Sequence, residues 1–269
     1  MYTLIFSLAN DMLAISLYDA LFSKGERSLR LVTDRELAFA EWLHEAGSNG
    51  HFFTRIRLAD GFIIEPPIIK HLVNRIPYFQ MAHFINTADR QYAEMEMYAL
   101  YTSFLYSVKE KVTDGMPVRH INMQENSLYF QAMAVKAGLD TLDNQFTSSP
   151  RWQQPKALTA MAPQKKQTAL WHKRSPHLVW ENKPVLYNEP FTNLVKTEVV
   201  GDHYFCGIDP GKQFSKKIKA FSQLTGRTVY TLLLAEVKGK YKLYTVDIRP
   251  AALSTAAMDA FCALLISKK

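Results

Sequence analysis

Apolar positions recur along this chain with two periods, and the switches between them predict its elements. Residues 3–8 (TLIFSL) form an apolar run of strand length. Residues 10–23 follow with Leu13, Leu17 and Leu21 spaced four apart, which puts them on one face of a helix. Residues 29–32 predict a second short strand. Asp34 can cap a helix running to Glu45, before Gly47 and Gly50 break it. Residues 52–58 alternate, with Phe53, Arg55 and Arg57 on one side and Phe52, Thr54 and Ile56 on the other. The order strand, helix, strand, helix, strand predicts a small parallel α/β unit.

Residues 71–79 (HLVNRIPYF) predict a strand ended by Pro77, with Asn74 and Arg75 in its middle. A long helix is expected over 89–108, capped by Asp89, with Tyr92, Glu96, Ala99 and Ser103 on one stripe. Arg75 then either points into a cleft or pairs with Glu96. Residues 117–122 predict a short strand. Ser127 caps a helix through Lys136, and Gly138 sits where a C-cap glycine belongs. Residues 140–180 hold Pro150, Pro155, Pro163 and Pro176 and little periodicity, which predicts a domain linkage followed by a strand-poor stretch. Strand character returns at 177–180, 184–188 and 193–200. A turn at Gly201-Asp202 makes a hairpin with 203–208. A helix over 212–224, two strands joined across Lys238-Gly239-Lys240 and a helix over 254–266 close the chain. Near the end of the last strand Asp247 and Arg249 lie two apart, on one face, with Val246 and Ile248 on the other. Such a charged face marks a ligand site or an internal ion pair.

Composition narrows the class. The chain has 269 residues, 48% hydrophobic and 21% charged, enough for one large domain or two ordinary soluble ones. No apolar run reaches the length of a membrane span. The first residues lack a basic stretch and meet Asp11 too soon for a signal peptide. Cys206 and Cys262 are the two cysteines, which fits a reducing, cytoplasmic compartment. The charge is uneven: residues 151–269 hold 19 Lys/Arg against 8 Asp/Glu, while residues 1–150 hold 13 against 17. A basic second half points to an anionic partner, whether a nucleotide, a nucleic acid or an acidic peptide. Lys212, Lys216, Lys217 and Lys219 fit a solvated helix face equally well. Trp171-His172-Lys173-Arg174 and Tyr241-Lys242-Leu243-Tyr244 interleave aromatics with basic residues in a way that can stack bases, although a strand with exposed lysines explains the second. The Tyr- and Met-rich segment 92–106 offers a face that a homodimer would bury. No glycine follows the first strand in Leu8-Ala9-Asn10-Asp11, so a dinucleotide fingerprint or P-loop is absent. Neither a metalloprotease histidine pair nor a Gly-x-Ser-x-Gly elbow is present.

Four phrases carry a resemblance. They are LVNR at 72–75 with DRQYAEMEMYALYTSFL at 89–105, SLYFQAMAVKAGLDTLDNQFTSS at 127–149, PVLYNEPFTNLVKTEVVGDHYF at 184–205, and GKYKLYTVDIRP at 239–250. In this order they resemble the ATP-grasp ligases, in particular the branch that modifies ribosomally made peptides, over most of the chain. The resemblance implies an α/β fold: an N-terminal parallel α/β pre-ATP-grasp-like domain over 1–124, then a reduced ATP-grasp-like α+β domain with an antiparallel sheet and a shortened lid over 125–269. It implies ATP-driven acyl transfer with Mg²⁺ bridging the phosphates. It places Glu189 near the adenine hinge, Lys196 at the phosphate-binding base, Asp247 at the metal-binding glutamate and Arg249 at the metal-binding asparagine. A further metal-binding aspartate is expected near Leu232–Leu234, where Glu236 is the nearest carboxylate. Arg75 and Glu96 are the residues it implies for substrate.

Arg249 has donors only and cannot bind a metal. The expectation is therefore a degenerate ATP-grasp-like protein that binds a peptide or protein partner in a peptide-modification or biosynthetic pathway. It keeps Lys196, Asp247 and Arg249 as the remnant catalytic set and Glu189, Lys196 and Glu236 around the nucleotide position, with no metal and no cofactor. One alternative is an active carboxylate–amine ligase using ATP and Mg²⁺ with an altered metal site. The other is a basic nucleic-acid-binding protein.

Overall fold

The structure is a computed structural model that describes residues 1–47, 52–81, 83–115, 127–142, 144–145, 186–187, 191, 193–209, 211 and 213–267. Strand β1 (Tyr2–Ser7) leads into α1 (Met12–Ser23), whose first turn is capped by Asp11: its Oδ1 accepts the amide N–H of Leu13 and Ala14. Strand β2 (Leu29–Thr33) ends in a capping box, in which Thr33 and Glu36 satisfy each other's backbone N–H at the start of α2 (Asp34–Ala38).

The helix expected to reach Glu45 stops there. Residues Glu41–Ala46 form β3, antiparallel to β4 (Phe52–Arg57), and β5 (Ile63–Ile64) completes a three-stranded sheet. Glu, Leu and Ala favour a helix locally, but pairing with β4 overrides that preference. Trp42 is anchored as a strand residue, its Nε1 donating to the carbonyl of Leu37 at 2.8 Å. β4 is consequently not the third parallel strand. That place belongs to β6 (Ile69–Asn74), and the parallel sheet runs β2-β1-β6-β7, with β7 at Val112–Asp114. Helix α3 (Thr87–Ser107) begins after an Asn86 cap and leaves Asp89 in its first turn. It buries Met97, Tyr98, Tyr101, Phe104 and Leu105 against Leu4, Phe6 and Leu72 of the sheet. Each fully buried side chain of this size contributes about 1.5–3 kcal/mol.

The C-terminal elements are α4 (Ser127–Lys136), the short pair β8 (Asn144–Gln145) and β9 (Leu186–Tyr187), then β10 (Leu194–Val200), β11 (His203–Cys206), α5 (Phe214–Thr225), β12 (Val229–Val237), β13 (Lys240–Asp247) and α6 (Thr255–Ser267). Strands β11-β10-β12-β13 form an antiparallel sheet. One face holds Val199, Tyr230, Leu232, Leu234 and Leu243 against α4 and α5. The other contributes Val200 and Val229 to a second core shared with α1, α6, Ile5 and Val73. The β12–β13 turn is two residues, Lys238 and Gly239, both at positive φ, as the twist of a tight hairpin requires. Among the described residues no helix is long and apolar enough to cross a membrane. The strands expected at 117–122 and 177–180 lie outside the described residues.

Candidate functional site

Register builds the site. β10 sets Glu198 opposite Thr231 on β12, and β12 sets Thr231 opposite Asp247 on β13. Lys196, Leu233 and Thr245 form the next row. Residues directly opposite share a face, so Lys196, Glu198, Thr231 and Asp247 stand together on one side of the sheet. A bulge on β13, where pairing steps from Leu234↔Leu243 to Leu233↔Thr245, makes this possible. Counted from the hairpin turn without it, Asp247 falls on the opposite side. Thr231 is thus the β12 residue that stands opposite Asp247, and Leu232–Leu234 carry no carboxylate.

Glu198 is 5% exposed and is fully engaged. It accepts from Lys196 Nζ at 2.7 Å, from the Ser254 amide at 3.0 Å and from the Ser254 hydroxyl. Burial pulls its carboxyl up, but the bonds from Lys196 and Ser254 outweigh that and hold it below the ordinary value. Ser254 passes the anchoring on to the start of α6, its Oγ accepting from the Ala257 amide. The Lys196 ammonium also donates to the carbonyl of Ala252 at 3.2 Å, while its side chain stays 49% exposed. Thr231 is 3% exposed, and among the described residues its hydroxyl has no hydrogen-bond partner.

Asp247 is exposed and closes β13, its Oδ1 accepting the backbone N–H of Arg249 at 2.9 Å. The strand ends there, so Asp247 and Arg249 do not share a strand face as expected; the first caps the turn that carries the second. The Arg249 guanidinium lies near enough to Tyr101 to oppose the burial that pushes this phenol well above its ordinary value.

Arg75 takes another partner than Glu96. Its Nε donates to Asp11 Oδ2 at 2.7 Å and its Nη2 to the carbonyl of Pro250 at 3.1 Å, with the residue 5% exposed. Glu96 is exposed on α3. Asn74 accepts from the Tyr101 hydroxyl at 2.7 Å and donates to the Gly115 carbonyl. Gly115 must be glycine: at φ +84 a Cβ would lie 1.9 Å from the Asn74 carbonyl oxygen. Beside it, Asp114 accepts the amides of Thr228 and Val229, joining β7 to the start of β12. Burial raises the Asp114 carboxyl, and the neighbouring Arg227 opposes that rise.

Glu236 stands on the other face of β12 from Lys196, accepting from Asn193 Nδ2 at 2.8 Å. Glu189 lies outside the described residues, as do Trp171–Arg174 and Lys212. Lys217 and Lys219 face Asp140 and Asp202 at 3.6 and 3.4 Å. On the Leu234 side of the sheet, a cavity of about 470 Å³ is rimmed by Asp140, Lys217, Lys240 and Tyr241. Among the described residues no three His, Cys, Asp or Glu side chains group closely enough to hold a metal ion.

Neither a protein-family model nor a curated protein matches the sequence. Solved structures match it in shape. The macrocyclase MdnC from Microcystis aeruginosa MRC, bound with precursor peptide MdnA, matches with a TM-score of 0.71 at 13% identity, over 99% of this chain and 100% of that one. A RiPP-associated ATP-grasp ligase from Chryseobacterium gregarium, in complex with ADP and a leader and core peptide, matches with a TM-score of 0.68 at 10% identity, over 100% and 98%. D-alanine–D-alanine ligase from Bacillus anthracis, complexed with ATP, follows with 0.55 at 9% identity, over 100% and 95%. The chain has the ATP-grasp fold. Its own parallel sheet comes first and its antiparallel sheet after it.

Proposed function

We propose that this protein binds a peptide or protein partner in a peptide-modification or biosynthetic pathway, and that its metal–ATP chemistry is weakened or lost. The observation that carries the second part is the row Glu198–Thr231–Asp247. Magnesium wants an octahedron of oxygens, usually carboxylates together with phosphates. Here one exposed carboxylate, Asp247, faces the neutral hydroxyl of Thr231. Arg249, at the place where the resemblance implies an amide ligand, has only donors. Glu198 is held by Lys196 and Ser254. This donor set does not fit a resident magnesium ion.

Half-exposed Lys196 is the cation of the row that remains able to meet an anionic group, and Glu198 neutralises it in the meantime. The peptide partner is supported by the shape shared with a macrocyclase and a ligase solved together with peptides, at 13% and 10% identity. The two free cysteines support a cytoplasmic setting. An active ligase would enlist Glu236 with Asp247, yet Glu236 bonds Asn193 on the far face of β12. Isothermal titration of the full chain with ATP, with and without Mg²⁺, tests the reading. We expect no Mg²⁺-dependent heat; micromolar, Mg²⁺-dependent binding would overturn it.

A further inference from the structure

The small sheet β3-β4-β5 plays no part in the row around Lys196, yet it offers a surface of defined chemistry. β3 is its edge strand, and among the described residues nothing pairs with the outer side of β3. An edge of this kind presents free backbone N–H and C=O groups. Along the exposed face of β3 run Glu41, Leu43 and Glu45. On the same face Phe53 stands opposite Glu45, Arg55 opposite Leu43 and Arg57 opposite Glu41, which it meets at 3.9 Å, while Phe53, Ile63 and Leu43 are 47%, 41% and 44% exposed. The edge is also held rigid from beneath. Trp42 packs edge-on against Phe104 at 6.0 Å. His44 is bonded on one side to Thr54 at 2.7 Å and on the other to Ser103 of α3 at 2.8 Å.

We propose that the outer edge of β3 receives an extended peptide segment as an added strand, and that this segment carries basic residues at alternate positions on either side of an apolar one. A strand laid beside β3 sets its side chains roughly 4.5–5.5 Å from Glu41, Leu43 and Glu45, and basic–apolar–basic is the complementary order. Charges alone would serve to guard an edge, but here Leu43 is exposed between Glu41 and Glu45, with Phe53 and Ile63 exposed on the strands behind it. A second copy of this chain is the wrong occupant. Antiparallel self-pairing about Leu43 would set Glu41 against Glu45 twice, and like charges directly opposite are destabilising.

This rests on the peptide-binding reading and gives the peptide a place on the molecule. The two fail separately: a peptide that binds the parent protein and a charge-reversed β3 alike keeps the peptide-binding reading and removes this place for it. The test is fluorescence polarisation on the full-length protein with a short, capped peptide alternating lysine and valine. Binding is expected, and is expected to vanish when alternate peptide amides are N-methylated. The combined Glu41→Lys, Glu45→Lys variant should bind about tenfold more weakly, as expected for two cross-strand charge pairs turned repulsive. A glutamate–valine peptide should then bind that variant in preference to the parent protein. Both substituted positions are exposed, and a thermal melt confirms that the variant is folded. The proposal is overturned by absence of binding, by equal binding of the N-methylated peptide, by unchanged affinity in the double variant, or by a dimer in sedimentation that the double variant dissociates.

Discussion

Two cation–carboxylate pairs in this protein have the same separation and opposite meanings. Arg75 meets Asp11 at 2.7 Å, and Lys196 meets Glu198 at 2.7 Å. The Arg75 side chain is 6% exposed and the Lys196 side chain 49%. Arg75 spends its donors on the cap of α1 and on the carbonyl of Pro250, so it fastens the parallel sheet to the segment after β13. Lys196 keeps one side to solvent and can turn to a ligand while Glu198 remains held by Ser254. Distance therefore does not rank the two pairs; burial and the remaining partners do.

Removing the buried cation is the strongest way to break this comparison. Arg75→Ala should cost about 3–5 kcal/mol, since it leaves Asp11 and the Pro250 carbonyl without their partner. Urea unfolding measures it, and a loss below about 1 kcal/mol would mean that the fastener is not one. Thr231→Asp should follow at about 3 kcal/mol, because it places a new carboxylate at a buried position facing Asp247. If the missing second carboxylate is what excludes magnesium, Mg²⁺ will raise the melting temperature of this variant and leave the parent unchanged. Equal shifts in both would refute that explanation.

Glu198→Gln should cost about 1–2 kcal/mol near neutral pH, through the weakened bonds to Lys196 and Ser254. Its pH dependence has a definite sign. The folded carboxyl lies below its ordinary value of 4.5, so its contribution is full above that pH and is lost as pH falls through the folded value. The gap between parent and variant should close on acidification, and a gap that widens below pH 4.5 contradicts the assignment. Asp247→Ala, at an exposed turn, should cost only about 0.5–1 kcal/mol for one backbone bond. A much larger loss in the same unfolding assay would show that Asp247 has a structural task beyond closing β13.

Much of the fold was legible because its signals are local. Four-residue apolar spacing marks α1, and Lys238-Gly239 marks the hairpin between β12 and β13. Val246 and Ile248, expected together on the face away from Asp247, both pack into the core with α4 and α5, Ile248 from just past the end of β13. β3 was not legible, since its residues favour a helix and only β4 makes them a strand. The candidate site was legible less far. Arg75 stands out as a polar residue in a buried strand pattern, but its partner Asp11 is 64 positions away, whereas the expected partner was Glu96. Thr231 was missed for a different reason. Which residue faces Asp247 depends on a one-residue slip in pairing, and no composition signal in Leu243–Thr245 announces it.

That slip has a consequence for how the chain tolerates change in length. β13 is effectively two segments with independent phase, one counted from the Lys238-Gly239 turn and the other from Asp247 backwards. Straightening the bulge with Tyr244 kept would pair Tyr244 with Leu233 and invert everything downstream, turning Val246 away from the α4–α5 core and Asp247 toward it. Deleting Tyr244 instead leaves Thr245 opposite Leu233 and Asp247 opposite Thr231, so the row tolerates a hairpin that is one residue shorter at this point.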